Sequence, residues 1–236
     1  HRILENIDFQ KPLNNAHSVK IINQELQNAG FNLELLSTVQ ESLERVLNIP
    51  LGGALGSLKL KEVPMKNRIN EMSFDIPIAH HGKSICSKDI ASIFKEDEDS
   101  RFSYEYAQEL YKLNFKGKGF LTGSIDLVFT DKDLSSDSRW WIIDWKSNWL
   151  GSEKEDEQDI ICGPKNYLNE SMERLMISHH YPLQAHLYLL ALHRYLKWRL
   201  PDYKLEEHLG GYIYIFLRGL PKTESSHKDY YKGGSP

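Results

Sequence analysis

Arg139-Trp-Trp-Ile-Ile-Asp-Trp-Lys146 is the stretch whose reading decides the fold. In a strand, alternate residues share a face. Trp141, Ile143 and Trp145 then lie on one side, and Trp140, Ile142, Asp144 and Lys146 on the other. An aspartate and a lysine side by side in so apolar a strand are costly unless they pair, bind a metal or do both. The preceding apolar run, Gly119 to Thr130, contains Gly123-Ser-Ile-Asp-Leu-Val-Phe129, and Asp126 is its only charge up to Phe129. If the two strands form a hairpin, Asp126 sits next to Asp144. Two carboxylates a few ångströms apart repel unless a divalent cation lies between them. Oxygen ligands suit a hard ion such as Mg²⁺ or Mn²⁺. Such an ion would acidify a bound water and neutralise phosphoryl charge. Lys146 would orient the water or stabilise developing negative charge. The competing reading is an Asp144–Lys146 surface pair on an edge strand, with Asp126 a turn residue. A lone Asp-x-Lys is common by chance; two isolated acids on consecutive apolar strands are more specific.

Outward from this centre, the chain reads helical as far as Lys66. Val19 to Ala29 and Leu33 to Leu47 repeat apolar residues at helical spacing, and Pro50 with Gly52-Gly53 breaks the pattern. Ile69 to Ile78 reads as a strand and Ser87 to Phe94 as a short helix. Tyr111 to Phe115 reads as a strand turned at Lys116-Gly-Lys118 into the Gly119 strand. Asp131 to Ser138 is a turn and Gly151 to Lys165 a loop. Ser178 to Arg199 is a long helix, with Pro182 tolerated in its first turn. Gly210 to Arg218 is the last strand. The expected organisation is a helical part over 1–66, a core over 67–220 and a polar tail over 221–236. Strands, then a helix, then a strand give a mixed α/β layer. On the long helix Tyr181, Gln184, Tyr188, Ala191 and Tyr195 form one stripe, with Leu183, Leu187 and Leu190 as its apolar neighbour. A tyrosine-rich core face explains most of that stripe, but a buried Gln184 amide would need partners.

Composition sets limits. With 236 residues, 40% hydrophobic and 26% charged, the chain has the mix of an ordinary globular protein. It lacks the roughly 18 consecutive apolar residues of a membrane helix, so no membrane role is expected. Cys86 and Cys162 exclude a disulfide framework or a four-cysteine cluster made by this chain alone, and their scarcity suggests a reducing, cytoplasmic setting. A net charge of −4 is unusual for a free-standing nucleic-acid binder. The acid runs Lys95–Asp99 and Glu153–Asp159 look like loops, so other domains or partners are expected to grip any DNA. Gly82-Lys-Ser84 is not a phosphate-binding loop, because Pro77 stands where the motif needs glycine. The adjacent pairs His80-His81 and His179-His180 are poor joint metal ligands. An opening without methionine and a Gly-Gly-Ser-Pro end read as a piece of a longer chain.

Several segments now become familiar in order: Gly123–Phe129, Asp144-Trp-Lys-Ser-Asn-Trp-Leu-Gly151, Tyr181-Pro-Leu-Gln-Ala-His-Leu-Tyr188, Ala191–Leu196 and Gly210-Gly-Tyr-Ile-Tyr-Ile-Phe-Leu-Arg-Gly219. Together they closely resemble the C-terminal nuclease domain of the RecB family, the beta chain of exodeoxyribonuclease V, within the PD-(D/E)xK superfamily. The resemblance runs from His1 to about Leu220 and is not diagnostic between Gly30 and Lys66. It implies a PD-(D/E)xK core, a central mixed sheet flanked by helices, with a helical N-terminal segment. It implies catalysis by Asp126, Asp144 and Lys146. His1, opening His1-Arg-Ile-Leu-Glu-Asn-Ile-Asp-Phe9, joins Asp126, Asp144 and the Trp145 backbone carbonyl as metal ligands. Mg²⁺ is the expected ion, with Mn²⁺ or Ca²⁺ able to take its place. Glu71, in Asn70-Glu-Met-Ser-Phe-Asp-Ile-Pro77, is a weaker site candidate. Gln184, Tyr188 and Tyr181 match the motif that lines the DNA path. The implied partners are DNA, chiefly single strands from an unwound end, a helicase domain upstream in the native chain, and RecC-like and RecD-like subunits. The implied activity is phosphodiester hydrolysis in double-strand-break repair, recombination and degradation of linear DNA. Two other readings compete: a nuclease fold kept only to guide DNA, and a restriction-type endonuclease acting alone. A full set of acids with Lys146 speaks against the first, and the acidic balance and cut ends against the second.

Overall fold

The computed structural model describes residues 1–78, 84–96, 103–133, 137–151 and 162–220. The expected polar tail, the Glu153–Asp159 acid run, His80-His81 and most of the loop after Gly151 lie outside these residues, as does part of the Lys95–Asp99 run.

The described elements are, in order, α1 (Arg2–Asn6), α2 (Ala16–Asn28), α3 (Leu36–Asn48), β1 (Arg68–Pro77), β2 (Ile85–Cys86), α4 (Ser87–Glu96), α5 (Ser103–Lys112), β3 (Lys116–Gly117), β4 (Phe120–Thr130), β5 (Trp140–Lys146), α6 (Asn169–Ser178), α7 (Tyr181–Arg199), α8 (Leu205–His208) and β6 (Leu209–Phe216). A four-stranded sheet has the order β1-β4-β5-β6, and β2 pairs with β3 in a separate ribbon. β4 and β5 are antiparallel, while β5 and β6 are parallel, so the sheet is mixed. This is the mixed α/β class expected of a PD-(D/E)xK core. β5 lies between β4 and β6 and is not an edge strand.

The chain separates into two compact units. Among the described residues, one comprises those within 1–72, 125–168 and 202–220; the other comprises those within 73–124 and 169–201. The division falls within β1 and β4, so each of these strands contributes to both units.

In the first unit, one face of the sheet is covered by helices. Leu127 and Phe129 of β4, Trp141, Ile143 and Trp145 of β5, and Ile215 of β6 pack with Leu4, Ile22, Leu26, Leu43, Val46 and Leu47 from α1 to α3. The two tryptophans therefore sit in the core, on the face opposite Asp144. α2 begins where Asn15 caps it, accepting from the backbone N–H groups of His17 and Ser18. Its buried Ser18, Ile22 and Leu26 recur every four residues, and Leu43, Val46 and Leu47 do the same work in α3 at three- and four-residue steps. Gly210 permits close packing: a Cβ there would stand 2.3 Å from the Trp141 ring.

In the second unit, Ala91 and Phe94 of α4 pack with Tyr106, Ala107 and Leu110 of α5, joined by Ile177 and Leu183. The Phe94 ring meets Tyr106 edge-on, with centroids 5.0 Å apart.

Three expectations are corrected. Tyr111–Phe115 is not a strand: α5 runs to Lys112, and Asn114 takes a left-handed φ of 44°. The alternation of Tyr111, Leu113 and Phe115 imitated a strand, but their large side chains are exposed rather than inward. Lys116-Gly-Lys118 is not a hairpin turn, because Lys116 and Gly117 pair with Cys86 and Ile85. The long helix starts at Tyr181, since His180 is left-handed with φ 55° and Pro182 occupies the first turn. Its buried line is Pro182, Ala185, Leu192 and Leu196, with Ala191, whereas Leu190 is 39% exposed.

Gly210→Ala should lower the unfolding free energy by about 1–3 kcal/mol through overpacking against Trp141. Urea denaturation checks this. Trp141→Leu, combined with Gly210→Ala, should recover part of the loss relative to additivity, and strict additivity would show that the two positions do not press on each other.

Candidate active site

The acids are placed by strand register. The β4–β5 ladder pairs Thr130 with Trp140, Val128 with Ile142 and Leu127 with Ile143. One step further along the same register, Asp126 stands opposite Asp144, and residues directly opposite share a face. The Asp126 side chain takes over where the register pairs end: its Oδ2 accepts the Trp145 backbone N–H at 2.7 Å. The structure thus shows Trp145 contributing its amide to the site. On the far side of β5, Asp144 is in register with Tyr214 and Lys146 with Phe216.

Lys146 Nζ lies 2.6 Å from Asp144 Oδ2. Asp144 is 5% exposed and Lys146 7%. A central strand and these exposures rule out a surface ion pair on an edge. The Tyr214 ring adds to the setting, with its centroid 4.8 Å from Lys146 Nζ, within cation–π range. Tyr214 in turn meets Tyr212 edge-on at 5.6 Å.

His1 approaches from the N-terminal arm. Its Nδ1 is 3.8 Å from Asp126 Oδ2. The arm is tied to β1 at two points: Arg68 Nη2 donates to the Ile7 carbonyl at 2.6 Å, and the Asn70 side-chain amide donates to the Glu5 carbonyl. Directly after the second anchor, Glu71 has a left-handed φ of 49° inside a strand. For a residue with a Cβ that conformation costs on the order of 1–3 kcal/mol and is found chiefly at functional sites. Glu71 lies near enough for its charge to raise the Asp144 carboxyl.

Burial pushes the Asp144 carboxyl up to about 6; Lys146 offsets part of that, while Asp126 and Glu71 add to it. Burial also raises Asp126, opposed by the Trp145 N–H and by Lys146. Burial therefore prevails over the lysine at both carboxylates. They are short of positive charge, the condition that a hard divalent cation relieves. Among the described residues, no three His, Cys, Asp or Glu side chains already converge as a metal cage. Two of the four carboxylate oxygens are instead engaged, one by Lys146 and one by the Trp145 amide. In kind, the donor set of two carboxylates and an imidazole fits a divalent cation.

With this geometry in view, the relatives are informative. No protein-family model matches the chain. It is 30% identical over 233 residues to the RecBCD enzyme subunit RecB of Escherichia coli K12, covering 98% of this chain and 17% of that protein. It is 32% identical over 179 residues to the RecB subunit of Mycolicibacterium smegmatis, covering 72% of this chain and 16% of that protein. The RecB subunit of Mycobacterium tuberculosis H37Rv is 31% identical over 197 residues, covering 79% and 17% respectively. The chain belongs to the RecB family. It spans only 17% of the length of the first of these RecB relatives.

The first unit of this RecB-family chain brings together His1, Glu71, Asp126, Asp144, Trp145 and Lys146. Tyr181, Gln184 and Tyr188 belong to α7 in the other unit. There, Gln184 Nε2 donates to the Tyr188 hydroxyl at 2.9 Å, and Tyr188 meets Phe74 edge-on at 5.8 Å. The Gln184 amide thus has a partner on the expected stripe. Sequence reading missed Tyr214. Its signal was present in Gly210-Gly-Tyr-Ile-Tyr-Ile-Phe216, whose alternation sets Tyr212, Tyr214 and Phe216 on one face. What was missing was the parallel register that lays that face beside Asp144 and Lys146.

Stability should depend on pH through Asp144. Its folded carboxyl is raised above the ordinary value, so between about 4 and 6 the native state holds the extra proton. Without divalent ions, stability should therefore fall as pH rises through that window. Asp144→Asn should remove this component. Urea midpoints for both proteins in EDTA, taken across the window, check it; parallel pH profiles would contradict the assignment.

Proposed function

We propose that the chain is a Mg²⁺-dependent DNA nuclease domain that hydrolyses phosphodiester bonds. The observation that carries the reading is the buried Asp144–Lys146 pair on the central strand, with Asp126 opposite and His1 beside it. Membership of the RecB family supports it. A charge pair of this kind is a poor way to gain stability, since apolar residues of similar volume would serve as well or better. Its retention is explained by chemistry.

Asp126, Asp144, the His1 imidazole and the Trp145 carbonyl are the proposed ligands, with Glu71 as an outer acid. Bound Mg²⁺ would lower the pKa of a water and neutralise charge on the phosphoryl oxygens. The rest falls to the chain. Asp126 and Asp144 share a face and define where the attacked phosphate must lie. Lys146, held by Asp144 and Tyr214, presents N–H donors to the attacking water or to a phosphate oxygen as negative charge builds. The packed face behind Trp141 and Trp145 keeps β5 rigid, which holds these groups in register. Gln184, Tyr188 and Tyr181 are proposed to position the DNA strand. Mn²⁺ or Ca²⁺ would compete for the same ligands.

The relatives are named as subunits of a RecBCD enzyme. By that kinship the chain is proposed to act on strands unwound by a helicase domain, beside RecC-like and RecD-like partners, in double-strand-break processing. Such an assembly would supply the grip on DNA that a net charge of −4 makes awkward for this chain alone. Among the described residues no helix is long and apolar enough to cross a membrane.

Cleavage of linear single-stranded DNA with Mg²⁺ tests the reading. Activity should vanish in EDTA and in Asp144→Ala. Lys146→Ala should lower kcat by about 100-fold or more, while the Mg²⁺-induced rise in melting temperature above pH 7 persists. Loss of that rise in Lys146→Ala would move the lysine from chemistry to metal binding. No cleavage and no Mg²⁺-dependent stabilisation by the folded chain would overturn the nuclease assignment. Gln184→Ala should reduce cleavage several-fold with little change in the urea midpoint, and the reverse pattern would return this residue to packing.

A further inference from the structure

One surface of the second unit has no role in the proposed chemistry. Tyr111-Lys-Leu-Asn-Phe-Lys-Gly-Lys-Gly-Phe120 interleaves three aromatic rings with Lys112, Lys116 and Lys118 and contains no acid. The rings are out in water: Tyr111 is 42% exposed, Phe115 37% and Phe120 73%. Core packing does not account for them, because Tyr106 and Leu110, on the same helix, are the residues that α5 buries. Nor is this a fraying loop. The Phe115 carbonyl accepts from the Ser87 N–H at 3.0 Å, and the Gly119 carbonyl accepts from the Ile78 N–H at 2.9 Å. Ile85 and Cys86 pair with Gly117 and Lys116. Gly119 holds φ +107°, which suits only glycine. Lys112 pairs with Glu109, whereas no ion pair to a described residue holds Lys116 or Lys118.

We infer that Tyr111, Phe115 and Phe120, with Lys112, Lys116 and Lys118, form a binding surface for single-stranded nucleic acid. Lysines track the phosphates, and aromatic rings stack on bases whose faces are open only when the strand is unpaired. A protein partner could cover the rings, but its own apolar contact would leave the charges of Lys116 and Lys118 unanswered. A polyanion answers both features at once. The local excess of positive charge also stands out against a chain that is acidic as a whole. The inference rests on the nuclease reading only for the choice of DNA as ligand, and it concerns residues outside the catalytic set.

The test is equilibrium binding of fluorescein-labelled oligothymidylate to the chain in EDTA, which scores binding whether or not the chain cleaves. Phe120→Ala is the first variant, since the most exposed ring is the one folding needs least. Phe120→Ala and Phe115→Ala should each weaken binding about tenfold, and Phe115→Trp should retain it. Lys116→Gln with Lys118→Gln should reduce the slope of log affinity against log salt by about 1.4, at roughly 0.7 per phosphate contact. A mixed-sequence duplex should bind more weakly than the single strand. Because binding in EDTA is read independently of cleavage, a failure of the catalytic reading leaves this result unchanged. Unaltered affinity in both phenylalanine-to-alanine variants, each folded by circular dichroism, would overturn the inference. If those variants instead abolish self-association seen by sedimentation, with DNA affinity unchanged, the surface belongs to a protein contact and the inference is likewise overturned.

Discussion

The constraint on which the structure turns is a pair of opposite charges buried on the central strand. β5 is apolar enough to be covered on both sides, and it carries Asp144 and Lys146 at one end with almost no access to water. Moving two ions from water into a protein costs several kcal/mol per ion even after relaxation. A short ion pair recovers part of that, and an aromatic ring over the lysine recovers more. The remaining deficit shows in Asp144, whose carboxyl burial pushes up to about 6. Everything around the pair limits that deficit without abolishing it. Strand order places β4 and β6 on either side, register supplies Asp126 and Tyr214, and the tryptophans anchor the other face.

A second cost falls on the strand that begins this unit's sheet. Arg68 is buried, and its Nε and Nη1 find no partner among the described residues. Burial lowers its pKa to about 10, against the pull of Asp8. Its guanidinium lies 3.6 Å over the Phe9 ring while Nη2 holds the Ile7 carbonyl. A surface lysine would be cheaper, but it would not fix the turn between α1 and the next segment. With Asn70, this arginine ties down the arm whose first residue reaches Asp126. The strained backbone at Glu71 follows directly after Asn70. Desolvation, orphaned donors and backbone strain thus fall on strands of one sheet. Such costs mark a geometry held against the preferences of its parts.

Much of this was legible in the sequence because strand period is a strong signal when one face is apolar and charges are few. Asp144 and Lys146 could be assigned to one face, Trp141 and Trp145 to the other, and Asp126 to a neighbouring strand, from alternation alone. The sheet's outer strand escaped. Tyr214 needed the parallel register of β6 on β5, and parallel pairing leaves no short turn in the sequence from which register can be counted. The error at Tyr111–Phe115 has a different cause. Alternation there reflected exposed rings on the end of a helix and the ribbon after it, not a buried strand face. Periodicity reports that residues are treated alike, and burial was assumed where exposure was the common property. On α7 the buried line is Pro182, Ala185, Ala191, Leu192 and Leu196 rather than Leu183, Leu187 and Leu190, since a helix that is apolar on several sides leaves its phase undetermined.

The charge balance of the chain illustrates how an average misleads. A value of −4 argues against a nucleic-acid binder only if the charges are evenly spread. They are not. The first unit gathers Asp126 and Asp144 at the proposed metal site, where a cation would relieve the repulsion between them. The second carries a short run of lysines among exposed rings, with no acid between Tyr111 and Phe120. Uniformly basic surface would bind DNA more tightly, but it would also neutralise the acids on which the chemistry depends. Separating the two in sequence lets each keep the sign it needs.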